Sequence, residues 1–292
     1  MKPADVLLTV MVMVLWGLNF VVAKIGLEEL PPMLLVGIRF LLVAALLIGF
    51  VPIPRGHMAR IAALSISMGA LHFGLMFVGI RHVDASVASV AIQLQVPFAA
   101  LLAWLFLGDR LGWRRVGGMA LAFLGIVVIA GEPRMATNLG PLGLIVIASF
   151  LWAIGNVQLR DLRAVSPMAL NAWLALFAAP QMLIASAVFE DGQWAAMAAA
   201  GWKGWGAIAY MIVFVTIIGY GFWYRMAQRY PVNLTMAHTL QVPVWGVLSS
   251  VVLLGERLTW PMVAGSLLTL AGVAVIVLWR PAPVPVLQRP EI

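Results

Sequence analysis

LQVPFAALLAWLFLGDRLGWRRVGGMALAFLGIVVI, residues 94–129, recurs late in the chain as LQVPVWGVLSSVVLLGERLTWPMVAGSLLTLAGVAVI, residues 240–276. LQVP, G-[DE]-R-L and the following Trp return in order, with one residue inserted between LQVP and the Gly. A second match pairs Leu15, Trp16 and Lys24 with Leu151, Trp152 and Arg160, and Pro31-Pro32-Met33 with Ser166-Pro167-Met168. The chain therefore reads as a duplication: a first repeat over 1–135, a second over 136–280, and a short tail, 281–292.

Of 292 residues 63% are hydrophobic and only 10% charged, with mean hydropathy +1.03, a composition outside the soluble globular range. Ten apolar segments follow one another: 5–24, 33–52, 60–80, 85–107, 114–131, 140–159, 168–189, 204–224, 233–254 and 260–279. Each suffices for a helix to cross a hydrocarbon layer of ~30 Å. The expected fold is an all-α integral membrane protein of ten transmembrane helices. Five per repeat is an odd number, so the second half enters the membrane inverted, an arrangement typical of secondary transporters. With the N-terminus cytoplasmic, twelve of the 18 Lys and Arg residues fall on the cytoplasmic side; Lys24, Arg81, Arg134, Lys203 and Arg257 fall opposite, and Arg39 lies within the second segment. The positive-inside rule then places both termini in the cytoplasm.

This placement makes the net charge of +7 topological, and nucleic acid is not an expected partner. The absence of cysteine excludes disulfides, thiolate metal sites and thiol catalysis. The chain contains no H-E-x-x-H, no G-x-S-x-G and no phosphate loop, so no enzyme class is indicated and neither cofactor nor metal is expected. The first segment follows Lys2 but lacks an A-x-A-like cleavage site and has a repeat mate, so it reads as a helix rather than a signal peptide.

The repeated connectors have local explanations. Gly108 and Gly255 suit left-handed caps, and Trp113 and Trp260 suit the interfacial aromatic belt. Gly117, Gly118 and Gly125 correspond to Ala264, Gly265 and Gly272, small residues that let helices five and ten approach as a scaffold.

WGLNFVVAK (16–24), PPMLLVGIRF (31–40), WAIGNV (152–157) and the two LQVP…G-[DE]-R-L segments together resemble the EamA-like branch of the drug/metabolite transporter superfamily, including its YddG-type amino-acid and metabolite exporters. The resemblance runs to about Trp279. It implies two inverted five-helix repeats around a central cavity lined mainly by helices one, three, four, six, eight and nine. It implies a small-molecule substrate, a lipid bilayer as surroundings, a bacterial inner-membrane location and function as a monomer.

Helical spacing then selects candidate substrate contacts. Trp16 and Asn19 share a stripe of helix one, Trp152 and Asn156 of helix six, and Thr235, His238, Gln241 and Trp245 of helix nine. Gln93, His72, Tyr220 and Trp223 complete the set, and Pro97 and Pro243 interrupt the helical ladder as candidate hinges. Each polar residue has a plainer reading as an interhelical hydrogen bond, and each aromatic one as packing. Arg39 is either a substrate-carboxylate ligand or a side chain reaching for the outer surface. No Asp or Glu falls mid-membrane. The embedded Glu of small multidrug exporters has no counterpart here, and His72 and His238 are the candidates if protons are coupled. The expected activity is export of amino acids or related small metabolites by alternating access; the alternative is a proton-coupled exporter of drugs or cationic metabolites.

Overall fold

The structure, a computed structural model, describes residues 1–107, 111–230 and 238–279. Gly108, Thr235 and the tail lie outside the described residues. Among the described residues nine helices are long and apolar enough to cross a membrane: α1 (Pro3–Glu29), α2 (Pro32–Phe50), α3 (Met58–His82), α4 (Ala85–Phe106), α5 (Trp113–Ala130), α6 (Leu139–Leu162), α7 (Pro167–Phe189), α8 (Trp202–Trp223) and α10 (Trp260–Leu278). A shorter apolar helix, α9 (Gln241–Leu254), occupies the ninth expected place, and its expected start at 233 lies outside the described residues. The described secondary structure is all helical.

Local sequence explains the boundaries. α2 and α7 begin at Pro32 and Pro167, where a missing N–H costs nothing, and Ser166 Oγ accepts from Ala169 N–H in front of α7. α9 ends at Gly255, whose φ of 67° puts it in the left-handed region expected of that glycine. Both LQVP segments break the α ladder. In α4 a 3-10 turn, Ile92–Leu94, comes before regular helix resumes at Gln95, and in the second repeat regular helix starts at Gln241. Pro97 and Pro243 lack the N–H that the carbonyl four residues earlier would need.

Helices α5 and α10 pack at the glycines. A Cβ on Gly118 would lie 2.8 Å from the Gly272 carbonyl oxygen, and one on Gly265 would lie 2.5 Å from that of Gly125. Gly117 meets nothing within 4 Å and takes no part. In the sequence alignment Gly118 matches Gly265 and Gly125 matches Gly272, so exchanging the repeats turns one contact into the other. Thr269 Oγ1 donates to the Ala122 carbonyl at 3.3 Å, and these two positions exchange with each other. The same reciprocity governs partners elsewhere: α1 packs on α9 as α6 packs on α4, α8 packs on α1 as α3 packs on α6, and α2 packs on α7.

Side chains tie the helix ends together. Lys24 donates from Nζ to the Val83 carbonyl, tying the end of α1 to the end of α3. At that same end three carboxylates cross between the sequence halves to cap helix N-termini. Glu29 accepts from Gly201 and Gly204 N–H (2.9 and 2.7 Å), Glu190 from Met33 and Leu34 N–H (2.7 and 3.0 Å), and Glu256 from Ala85 and Ser86 N–H (2.7 and 3.1 Å) and Ser86 Oγ (2.6 Å). Each satisfies orphan donors and places negative charge at the positive end of a helix dipole. The end holding the N-terminus is joined differently. Tyr230 Oη donates to Asp5, Arg229 stands 3.5 Å from Asp5, and Trp173 Nε1 donates to the Pro52 carbonyl at 3.2 Å.

Candidate substrate site

A cavity of about 50 Å³ opens between α2, α3, α6, α7 and α8, lined by Arg39, Phe40, Val43, Met68, Phe73, Trp152, Asn171, Leu174, Ala175, Thr216 and Tyr220. By the measure of ~10–15 Å³ per water, it holds a few water molecules or a small polar group. It reaches from mid-bundle at Arg39 toward the end holding the N-terminus, where Asn171 stands four residues into α7. Arg39, Trp152 and Tyr220 were chosen from the sequence as candidate contacts. Thr216, Asn171 and the phenyl walls Phe40 and Phe73 were not.

The local backbone around this cavity departs from ordinary helix. Ser65–Leu71 of α3 and Met211–Tyr220 of α8 are π-helical, wide turns that accompany functional sites and cost stability elsewhere. These two helices are repeat mates. Met68, Thr216 and Tyr220 come from the wide turns, and Thr216 Oγ1 donates to the carbonyl of Met211, five residues back, at 3.0 Å.

Arg39 is the only charged residue of the lining and is 3% exposed. It does not reach for the surface. Its Nη2 donates to Thr216 Oγ1 at a long 3.4 Å, while Nε and Nη1 are buried with no acceptor among the described residues. The guanidinium carbon sits 5.1 Å from the Phe73 ring centroid and 5.9 Å from that of Phe40. Placing an arginine mid-membrane costs ~2.5–3.5 kcal/mol even on the insertion scale, and each desolvated cation–π contact returns about 1–2. The rings offset part of the charge's cost and leave Nε and Nη1 open to a ligand.

His72 stands directly behind this wall. Its ring lies 4.7 Å from Trp152 and 4.8 Å from Phe73, and Nδ1 donates to the Ala148 carbonyl at 2.8 Å, joining α3 to α6. It positions the aromatic lining rather than reaching into the cavity.

The other sequence candidates form separate groups. Trp16 packs on Tyr220 and Trp223 at 5.2 and 5.4 Å, with Trp245 at the edge of the same apolar cluster. Gln241 and His238 bond to each other, Nε2 to Nδ1, at 2.9 Å. Gln93 is 3% exposed inside α4, and Asn19 is 7% exposed with its Oδ1 unpartnered. Asn156 sits on the exposed face of α6. Pro97 and Pro243 are buried at the two ladder breaks. Apart from Tyr220, none of these residues lines the cavity around Arg39, which lies between α2 and α7 rather than against α4 and α9.

Among the described residues no group of three or more His, Asp or Glu could hold a metal ion. The cavity offers charge recognition between apolar walls.

Comparison with known proteins follows the same outline. A sequence model of the EamA-like transporter family matches residues 4–131 and 140–278, once per sequence repeat. A probable amino-acid metabolite efflux pump of Salmonella typhimurium is 34% identical over 281 residues, covering 93% of this chain and 94% of that protein. The protein of the same description from Escherichia coli is 31% identical over 294 residues, covering 97% and 98%. A solved crystal structure superposes with a TM-score of 0.62 at 18% identity, covering 94% of this chain and 96% of its own, which extends the likeness to the fold. With a family match across nearly all of both sequence repeats and relatives above 30% identity along their whole length, the chain belongs to the EamA-like transporter family.

Proposed function

We propose that the protein exports amino acids or related small metabolites across the bacterial inner membrane, and that the cavity at Arg39 is where the substrate carboxylate binds. Arg39 carries this reading: a buried guanidinium whose Nε and Nη1 have no acceptor among the described residues matches a carboxylate, and Phe73, Trp152 and Tyr220 supply the apolar walls of a small-molecule site. The relatives described as amino-acid metabolite efflux pumps support the substrate class. The cavity lies within one chain, which favours a functional monomer.

The transport cycle proposed is alternating access between two inverted five-helix repeats, residues 1–135 and 136–280, with both termini cytoplasmic. The reciprocal glycine contacts of α5 and α10 support a two-fold relation, and the excess of Lys and Arg at the N-terminal end supports the orientation. On that orientation the carboxylate caps close the outer end and the cavity reaches inward. The π segments of α3 and α8 and the proline breaks of α4 and α9 supply backbone that can bend without losing an established ladder. Proton-coupled export of cations finds no support in a lining whose one charge is positive.

The test is efflux from proteoliposomes loaded with a panel of labelled neutral amino acids. Protein-dependent efflux is expected, falling about tenfold or more in Arg39→Gln at unchanged membrane abundance, since charge-assisted bonds are worth ~1.5–3 kcal/mol. No efflux of any amino acid or related monocarboxylate overturns the reading.

A further inference from the structure

Electroneutrality at Arg39 constrains the cargo further. No carboxylate belongs to the lining; its other polar groups are those of Asn171, Thr216 and Tyr220, all neutral. The empty site thus carries a net charge of about +1 in a weakly polarisable setting, where an opposite charge is worth most. An anionic monocarboxylate neutralises it. A zwitterion does not: its ammonium, bonded to the carbon next to the carboxylate, is forced within about 5 Å of the guanidinium with no countercharge, so repulsion offsets much of what its carboxylate gains. Phe40 and Phe73 already hold the Arg39 cation, and no carboxylate of the lining stands by to hold a second one.

We infer that the preferred cargo is a net-anionic, apolar monocarboxylate, of the 2-oxo or 2-hydroxy acid class, and that its export is electrogenic. This rests on the cavity at Arg39 being the transport site. An anion leaving a compartment that is negative inside needs no proton or counter-ion, because the membrane potential drives it. That agrees with a cavity lining that holds no carboxylate to carry a proton.

The experiment compares 4-methyl-2-oxopentanoate with leucine, which differ only at Cα, in proteoliposomes holding the full chain. A potassium gradient with valinomycin sets an inside-negative potential. Outward flux of the oxo acid is expected to rise with the potential, and a tenfold potassium gradient supports up to about a tenfold opposite gradient of a singly charged anion. Leucine flux is expected to be lower and indifferent to the potential. Arg39→Gln lowers oxo-acid flux by a larger factor than it lowers leucine flux and so narrows the preference between them, while Arg39→Lys, which keeps the charge, retains potential dependence. Leucine efflux without oxo-acid efflux overturns the inference and leaves the exporter reading standing. So does oxo-acid flux that ignores the potential, whereas no flux of either compound, or of any neutral amino acid, overturns both.

Discussion

Replacing Glu256 by Gln should loosen the carboxylate-capped end of the bundle, the outer end on the proposed orientation. The carboxylate accepts three hydrogen bonds at the start of α4, from Ala85 N–H, Ser86 N–H and Ser86 Oγ, and Asp84 at the N-cap makes no side-chain capping bond of its own. A carboxamide keeps one acceptor oxygen, turns an NH₂ toward the remaining donors and loses the charge that the helix dipole favours. Exchanging charge-assisted bonds of ~1.5–3 kcal/mol for neutral ones of ~0.5–1.5 leaves a deficit of about 2 kcal/mol. That is roughly a 30-fold shift toward the outward-open state if the cap exists only when the end is closed. The chain has no cysteine, so a single introduced thiol reports alone. Ser89→Cys is suited to the purpose: Ser89 is fully buried in α4, and a Cβ on Gly246 of α9 would lie 2.6 Å from its own Cβ. Labelling by a membrane-impermeant maleimide from outside should accelerate about 30-fold when Glu256→Gln is added. Rates within about twofold of the parent, for both Glu256→Gln and Glu256→Ala, would refute the view that this carboxylate holds the end shut.

Other changes separate packing from transport. Gly125→Ala should destabilise the α5–α10 pair by about 1–3 kcal/mol or more, because the new Cβ meets Thr269 Oγ1 at 2.2 Å and the Gly265 carbonyl at 2.4 Å; Gly117→Ala, facing open space, should not, and thermal unfolding in detergent compares them. Asn19→Leu should leave the unfolding temperature unchanged or raised, since the buried Oδ1 has no partner to lose, while transport falls if the oxygen serves substrate or an open state. A drop in stability of the size seen for broken buried bonds would instead show that Asn19 holds the fold.

Much of the architecture is readable in the chain because it is written twice. The repeated LQVP predicts both ladder breaks, and the repeated small residues predict the α5–α10 contact down to Gly118, Gly125, Gly265 and Gly272, with Gly117 the exception. The site is read less well. Arg39 stands out because charge in a membrane is costly, but its neighbours do not: Phe73 and Thr216 look like any apolar or small residue in a span. A helix in lipid is apolar on its outer and inner faces alike, so periodicity fails to say which stripe points inward. The π turns of α3 and α8 rotate the following residues around the axis, and nothing in Ser65–Leu71 or Met211–Tyr220 announces this. Expectation therefore favoured the polar stripes of α4 and α9 over a cavity between α2 and α7.

The carboxylate caps have a consequence for the energy landscape of a duplicated chain. If the halves were identical in sequence, the state open at one end and the state open at the other would be mirror partners of equal energy, and the unloaded carrier would divide its time evenly. Glu29, Glu190 and Glu256 all act at one end; the repeat positions of Glu29 and Glu190 hold no acidic residue, and that of Glu256 is Asp109, which lies outside the described residues. The contacts of Glu29 and Glu190 have no acidic counterpart in the other repeat, and they lift that degeneracy. On the proposed two-fold cycle the chain thereby acquires a default orientation, with its mouth on the N-terminal side, so that divergence between the halves gives a direction to a carrier that symmetry alone would leave without one.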